Sequence, residues 1–207
     1  MAVDYADQIQ ALQEHGPYHL LGWSVGGIII HEVAQVLADR GLQLGTIAIL
    51  DAYPSDAWRN REAPGPDATY KALLYIAGYD PDGLHDVNLS EEGVIGFLRR
   101  SGHALGELSD AQLQGVFHSV ELNNRVVREH HHSFLDHPVL YFRAALDHKN
   151  DDLSPAMWAP WVSQLDVHDV PSLHAHLTNG DAMRHILRTL NPALNSAQSN
   201  RQEAECN

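Results

Sequence analysis

The sequence predicts an α/β fold built on a parallel sheet. Three observations carry that expectation. A short apolar strand runs into a glycine-rich turn, an amphipathic helix follows the turn, and a wholly apolar run follows the helix. Strand, helix and strand in so short a span read as a βαβ unit, whose right-handed crossover makes the two strands parallel. With 207 residues the chain is long enough to bury a real core as one domain.

Each element can be justified in turn. Residues 2–13 read as a helix, separated by Gly16-Pro17 from an apolar strand at 18–21. The turn is Gly22-Trp23-Ser24-Val25-Gly26-Gly27, and a helix over 28–39 follows it. Its apolar residues Ile30, Val33, Ala34 and Leu37 recur at helical spacing, and Gly41 stops it. Residues 46–50 are continuously apolar, as expected of a strand buried on both faces. From Pro54 the pattern breaks. Residues 54–132 carry Pro, Gly and Asp followed by helical stretches at 69–77, 90–100 and 109–128, and read as a helical insertion. Ser109 with Gln112 forms a capping box before the last of these. The sheet pattern resumes with strands at 138–142 and 165–170 and a closing helix at 181–190. The tail, 195–207, is polar and expected to be disordered, leaving 1–194 as the domain.

Composition narrows the function classes. The formal net charge of −14 argues against nucleic acid or an anionic membrane surface as a partner. No apolar run reaches the ~18 residues of a membrane span. The N-terminus carries Asp4 and Asp7 and no basic segment, so no signal peptide is expected. One cysteine, Cys206, builds neither a disulfide framework nor a zinc cluster, and a reducing, cytoplasmic setting fits.

The chemistry starts at Gly22-Trp23-Ser24-Val25-Gly26, a G-x-S-x-G elbow. Such an elbow thrusts a serine hydroxyl above the sheet edge on a sharp strand-to-helix turn. The helix N-terminus behind it, with the Val25 backbone N–H, offers donors to a developing oxyanion. A serine nucleophile needs a base, and the base an orienting acid. His174 lies after the last strand and before the last helix, where the base would sit. His176 is its near competitor, and His168 falls within the strand. For the acid, Asp51 follows the strand after the elbow, and Asp147 follows the later strand at 138–142.

The run from Tyr5 to Pro54 resembles the thioesterase domains that end nonribosomal peptide synthetases, of the α/β-hydrolase superfamily. The resemblance rests on Gly16-Pro17-Tyr18-His19-Leu20-Leu21-Gly22-Trp23-Ser24-Val25-Gly26-Gly27, then His31-Glu32-Val33-Ala34, then Leu50-Asp51-Ala52-Tyr53-Pro54. The family's acid position maps onto Asp51. Its histidine segment maps onto Val170-Pro171-Ser172-Leu173-His174, with Ser172 in place of the usual glycine. Trp158-Ala159-Pro160-Trp161-Val162 is similar to siderophore synthetases of the enterobactin type.

The resemblance implies an α/β-hydrolase fold with a helical lid over about 54–132. It implies an acyl or peptidyl chain delivered on the phosphopantetheine of a carrier domain, with no cofactor of the enzyme's own. Ser24 would take the chain as an ester, His174 would act as base, and Asp51 would orient it. The family also has strands and a second oxyanion donor before the segment that starts here. The fold is therefore expected to be partial, and this chain alone to be weak or inactive.

Three other readings stand beside this one. A free-standing editing thioesterase or another α/β-hydrolase esterase would use Asp147. A truncated, inactive module would only dock a carrier domain. A metal protein is the third, and no metal is expected, because three adjacent histidines, His130, His131 and His132, diverge on a helix. His31-Glu32 lacks its H-E-x-x-H partner, with Gln35 in that place.

Overall fold

The computed structural model describes residues 1–59, 61–62, 65–147 and 152–205, with side chains described through Asn195. Among these residues four strands form one sheet: β1 (Tyr18–Trp23), β2 (Leu44–Leu50), β3 (Leu135–Ala144) and β4 (Val162–Val170). All neighbours are parallel, in the order β1-β2-β3-β4. The α-helices are α1 (Ala2–Leu12), α2 (Val25–Asp39), α3 (Asp56–Arg59), α4 (Ala68–Ile76), α5 (Glu91–Arg100), α6 (Asp110–Glu129) and α7 (Gly180–Glu205). One-turn 3-10 segments occur at Ala104–Glu107, Pro155–Trp158 and His174–His176.

The chain divides into two compact units. The first comprises Met1–Trp58 and His130–Asn207 and holds the sheet. Strand pleating sends alternate side chains of β2 to opposite faces. Ala48 and Leu50 join Phe142, Ala144 and Val170 against Leu177, Ala182, Ile186 and Leu190, the last three on α7. On the other face Ile49 meets α2 at Gly27. A second cluster, Ala6, Tyr18, Val33 and Leu37, packs α1 and α2 against β1. Burial on both faces explains why β2 reads as an unbroken apolar run.

The second unit, Arg59–Glu129, has its own core of Leu73, Leu74, Val94, Leu98, Leu113 and Phe117 from α4, α5 and α6. Its helix starts follow their caps. Ser90 Oγ accepts from Gly93 N at 3.2 Å. At α6, Gln112 Oε1 accepts from Ser109 N at 3.0 Å and Ser109 Oγ accepts from Gln112 N at 3.4 Å. This is the reciprocal capping box that the sequence predicts.

Several boundaries differ from the sequence reading, each for a physical reason. Helix α2 starts at Val25 rather than 28, because the chain turns helical directly after Ser24. Strand β3 begins at Leu135, ahead of Pro138. The register shifts between these two residues, where proline offers no N–H to the ladder. Strand β4 extends back to Val162 through Ser163 and Gln164, two exposed polar residues that carry no apolar signal. Helix α7 runs to Glu205, whereas the tail from 195 was expected to be disordered. From 195 to 205 that tail contains neither Gly nor Pro, so nothing in it stops a helix. Residues 206–207, Cys206 among them, lie outside the described residues.

Ile186 is fully buried on α7 while Leu187 is 37% exposed. Ile186→Ala is therefore expected to destabilise by about 2–5 kcal/mol, and Leu187→Ala by less than about 1 kcal/mol. Chemical denaturation of both variants checks the assignment of the α7 face.

Candidate active site

Parallel register places the site. Trp23 pairs with Leu50, so the next residues of the two strands, Ser24 and Asp51, leave the sheet side by side. Ser24 N donates to Leu50 O at 3.0 Å, carrying the pairing one bond beyond the strand. Ser24 caps α2 with φ 55° and ψ −131°, a conformation rare outside glycine that the surrounding backbone must hold. The elbow depends on small residues for space. A Cβ on Gly22 would lie 2.2 Å from Gly26 O, so only glycine lets the helix turn back over the strand end. A Cβ on Gly27 would lie 2.6 Å from Ala52 Cβ and 2.9 Å from Ile49 Cγ2. At Gly26 itself a Cβ would meet nothing within 4 Å. The tight glycines are thus Gly22 and Gly27, and the second glycine of the five-residue motif is not one of them.

Asp51 also takes a positive φ, 46°, and is 1% exposed. Its N–H donates to Phe142 O at 2.9 Å. Its Oδ1 accepts from Ala144 N at 3.1 Å and from the Tyr53 hydroxyl at 3.3 Å. Its Oδ2 lies 2.8 Å from His174 Nδ1. A buried carboxylate is stable only when its lone pairs are met in this way. Burial, and then the Asp51 charge, push the Tyr53 phenol well above its ordinary range, so Tyr53 stays a donor. The Asp51 contact assigns the imidazole proton to Nδ1.

His174 opens the 3-10 turn that follows β4. Its main-chain N–H donates to Asp147 Oδ2, and its carbonyl accepts from Trp23 Nε1 at 3.1 Å. The Trp23 and His174 rings lie 5.5 Å apart, tilted by 35°. Ser24, Asp51 and His174 are therefore brought to one edge of the sheet. Asp147 Oδ2 meets the His174 main-chain N–H. Val25 is the first residue of α2, where backbone N–H groups have no intrahelical acceptor. His176 turns away to line a cavity of about 380 Å³ with Arg184, His185 and Arg188. His168 sits within β4, 3.0 Å from Asp166 and stacked on Phe142.

A family model for the thioesterase domain matches residues 1–194. The chain belongs to the thioesterase domain family. Membership makes it a hydrolase of the kind that acts on thioesters. A dimodular nonribosomal peptide synthase of Bacillus subtilis (strain 168) is 32% identical over 92% of the chain, which spans 8% of that protein. Enterobactin synthase component F of Escherichia coli O157:H7 is 26% identical over 88% of the chain and 13% of its own length. Among solved structures, the thioesterase domain SrfTE, which cyclises the lipopeptide antibiotic surfactin, superposes with a TM-score of 0.65 at 18% identity. That likeness covers 92% of this chain and 74% of SrfTE, and it confirms the α/β-hydrolase type of fold. Among the described residues no helix is long and apolar enough to cross a membrane.

The thioesterase domain carries a second polar cluster that sequence reasoning missed. Glu32 Oε1 lies 3.2 Å from His31 Nδ1, 2.9 Å from His130 Nε2 and 3.3 Å from His132 Nδ1. Helix α6 ends at Glu129, so His130 to His132 are not helical, and the divergence expected of adjacent helical histidines does not apply. In extended chain His130 and His132 share a side. His31, Glu32 and His132 present donor atoms within 4.8 Å of one another, as a metal centre would. The hydrogen bonding fits a cation poorly. Ser55 N donates to His132 Nε2 at 3.0 Å, which puts that ring's proton on Nδ1, the nitrogen facing Glu32. A protonated ring nitrogen has no lone pair to give a metal. The cluster reads instead as a carboxylate caged by imidazoles.

Two outcomes are expected from this geometry. Gly22→Ala should destabilise by about 1–3 kcal/mol or more through overpacking, whereas Gly26→Ala should leave stability within about 1 kcal/mol of wild type. Thermal unfolding of both variants tests this.

The second outcome concerns pH. Burial pushes the Glu32 carboxyl up, but hydrogen bonds from His132 and His31 and the charge of His130 outweigh it and hold it well below the carboxylate range. Burial lowers the His132 pKa from 6.5, and the Glu32 contact only partly offsets this. For His132 the unfolded chain takes up a proton first, so stability falls as pH drops below 6.5. The Glu32 contribution is present above its ordinary 4.5 and is lost as pH falls below that value. The Tm should therefore decline on acidification through both windows, and Glu32→Gln should lose the lower one. A Tm that rises as pH falls below 6.5 would contradict the assignment.

Proposed function

We propose that this chain releases an acyl or peptidyl chain from the phosphopantetheine thioester of a carrier domain through a Ser24-His174-Asp51 triad. The observation that carries the reading is the 2.8 Å contact between His174 Nδ1 and a fully buried Asp51, beside a serine on a strained strand-to-helix elbow. Nδ1 held by a carboxylate fixes the tautomer in which Nε2 can accept the Ser24 proton.

The steps balance. His174 takes the Ser24 proton as Oγ attacks the thioester carbon. The developing oxyanion meets the Val25 N–H at the N-terminus of α2. Collapse expels the pantetheine sulfur, which leaves as a thiol with the proton from His174. The resulting ester on Ser24 is then opened by water, giving an acid, or by a nucleophile within the chain, giving a ring. His174 serves as base in either case, so one triad supports both outcomes.

Likeness to enterobactin synthase component F supports siderophore assembly, a branch of secondary metabolism, as the setting, in the cytoplasm where carrier domains operate. Asp51 is the better-placed acid, since its Oδ2 meets the His174 ring while Asp147 meets the His174 main-chain N–H.

A serine-directed fluorophosphonate should add once to the purified chain, and the adduct should be absent in Ser24→Ala. With a short acyl thioester, Asp51→Asn should lower turnover by about 10⁴-fold, through loss of the correct tautomer. Labelling of Ser24→Ala as fast as wild type would overturn the assignment.

A further inference from the structure

We propose that Asp147 and Trp23 are positioning residues that clamp the main chain of His174 and so aim its imidazole from Asp51 toward Ser24. The inference rests on the triad reading above.

The need for a clamp comes from where His174 stands. It opens a three-residue 3-10 turn, His174–His176, too short to hold a side chain by its own hydrogen bonds. The residue before it, Leu173, provides no side-chain cap. The cap comes from the neighbouring loop, where Asp147 Oδ2 accepts the His174 N–H. That loop is itself stitched to the one bearing His174. Ala145 N donates to Val170 O at 2.9 Å and Leu146 N to Ser172 O at 3.2 Å. Asp147 is in turn fixed by its own N–H on Ala144 O at 3.2 Å.

The other side of His174 is held by Trp23. Its indole N–H donates to the His174 carbonyl at 3.1 Å, and its ring lies against the imidazole. Trp23 is the residue before Ser24 and pairs in register with Leu50, the residue before Asp51. One side chain thus ties the histidine's backbone to the strand ends that carry both the serine and the acid. The spacing of all three groups is set by these two contacts together with the Asp51 bond. A charged acceptor on the N–H and a neutral donor on the carbonyl suit the direction of the His174 peptide groups, and each is stronger for being partly buried.

The roles separate by substitution. Asp147→Ala removes the acceptor, and kcat toward an acyl thioester should fall by about 10²-fold, the cost of a small misplacement of a catalytic group. KM and Tm should change little. Asp147→Asn keeps an amide oxygen able to accept the same N–H, and kcat should return to within roughly threefold of wild type. Trp23→Phe keeps the ring but not the donor, and kcat should fall by about tenfold. An Asp147→Ala variant with wild-type kcat overturns the inference. So does an Asp147→Asn variant as impaired as Asp147→Ala, which would make Asp147 a functional acid, or a kcat loss that only follows a loss of Tm. Ser24→Ala and Asp51→Asn are measured in the same assay. Retained activity in those two sinks the triad reading itself. Their inactivity beside an active Asp147→Ala sinks the clamp alone.

Discussion

The in-register parallel pairing of β1 with β2 is the constraint on which the site depends. Neighbouring strands lie ~4.8 Å apart, so residues that leave them at the same level start within reach of a single side chain. Trp23 opposite Leu50 puts Ser24 and Asp51 at that level. Both then turn with positive φ, 55° and 46°. The two strands therefore end together, and the space above them is open to an imidazole from the loop after β4. A slip of one residue would send every side chain of β1 to the opposite face and take Ser24 away from the level of Asp51. Register is protected because β2, the partner of β1, is buried on both faces from Ile47 to Leu50.

Much of this was legible in the sequence, for identifiable reasons. The βαβ unit and β2 were clear because burial on both faces demands an unbroken apolar run, and Ile47 to Leu50 supply one. The elbow was clear because close packing at Gly22 admits only glycine. His174 was legible by its position after the last strand, whereas position alone left Asp51 and Asp147 both open. Strand β4 was half hidden because Ser163 and Gln164, exposed and polar, break the apolar pattern between Val162 and Leu165. The helical state of the tail was hidden because polar residues without Gly or Pro suit a helix and a coil alike. No sequence signal showed that Gly27 is tighter than Gly26. A flanking glycine looks the same whether its missing Cβ faces Ile49 or open space.

The Glu32 cage was illegible for a different reason. Its members come from α2 and from the chain just after α6, and only the fold brings them together. Ser55, before the residues 59–129 unit, and His132, after it, are joined by one main-chain to imidazole bond. His31 anchors the same cluster to Trp161 O at 3.1 Å. The result is a polar knot where the chain leaves the sheet unit and returns to it. The knot lets His31 and His132 sit against Trp158 and Trp161, because His31 bonds to Glu32 and to Trp161 O and His132 accepts from Ser55 N.

The two acids show how loop length divides labour at a sheet edge. Asp51 follows β2 without an intervening residue, and its positive φ tucks the carboxylate into the protein, where the last N–H of β3 meets it at 3.1 Å. Asp147 follows β3 only after a turn closed by its own N–H on Ala144 O. That turn brings its carboxylate to the main-chain N–H of the residue that bears the imidazole. Either strand end is a position from which a carboxylate could orient a histidine, so residue type and strand order alone left both open. The choice is made by the few residues between strand and acid. Asp51, with none, meets the His174 ring, and Asp147, beyond a turn, meets its backbone.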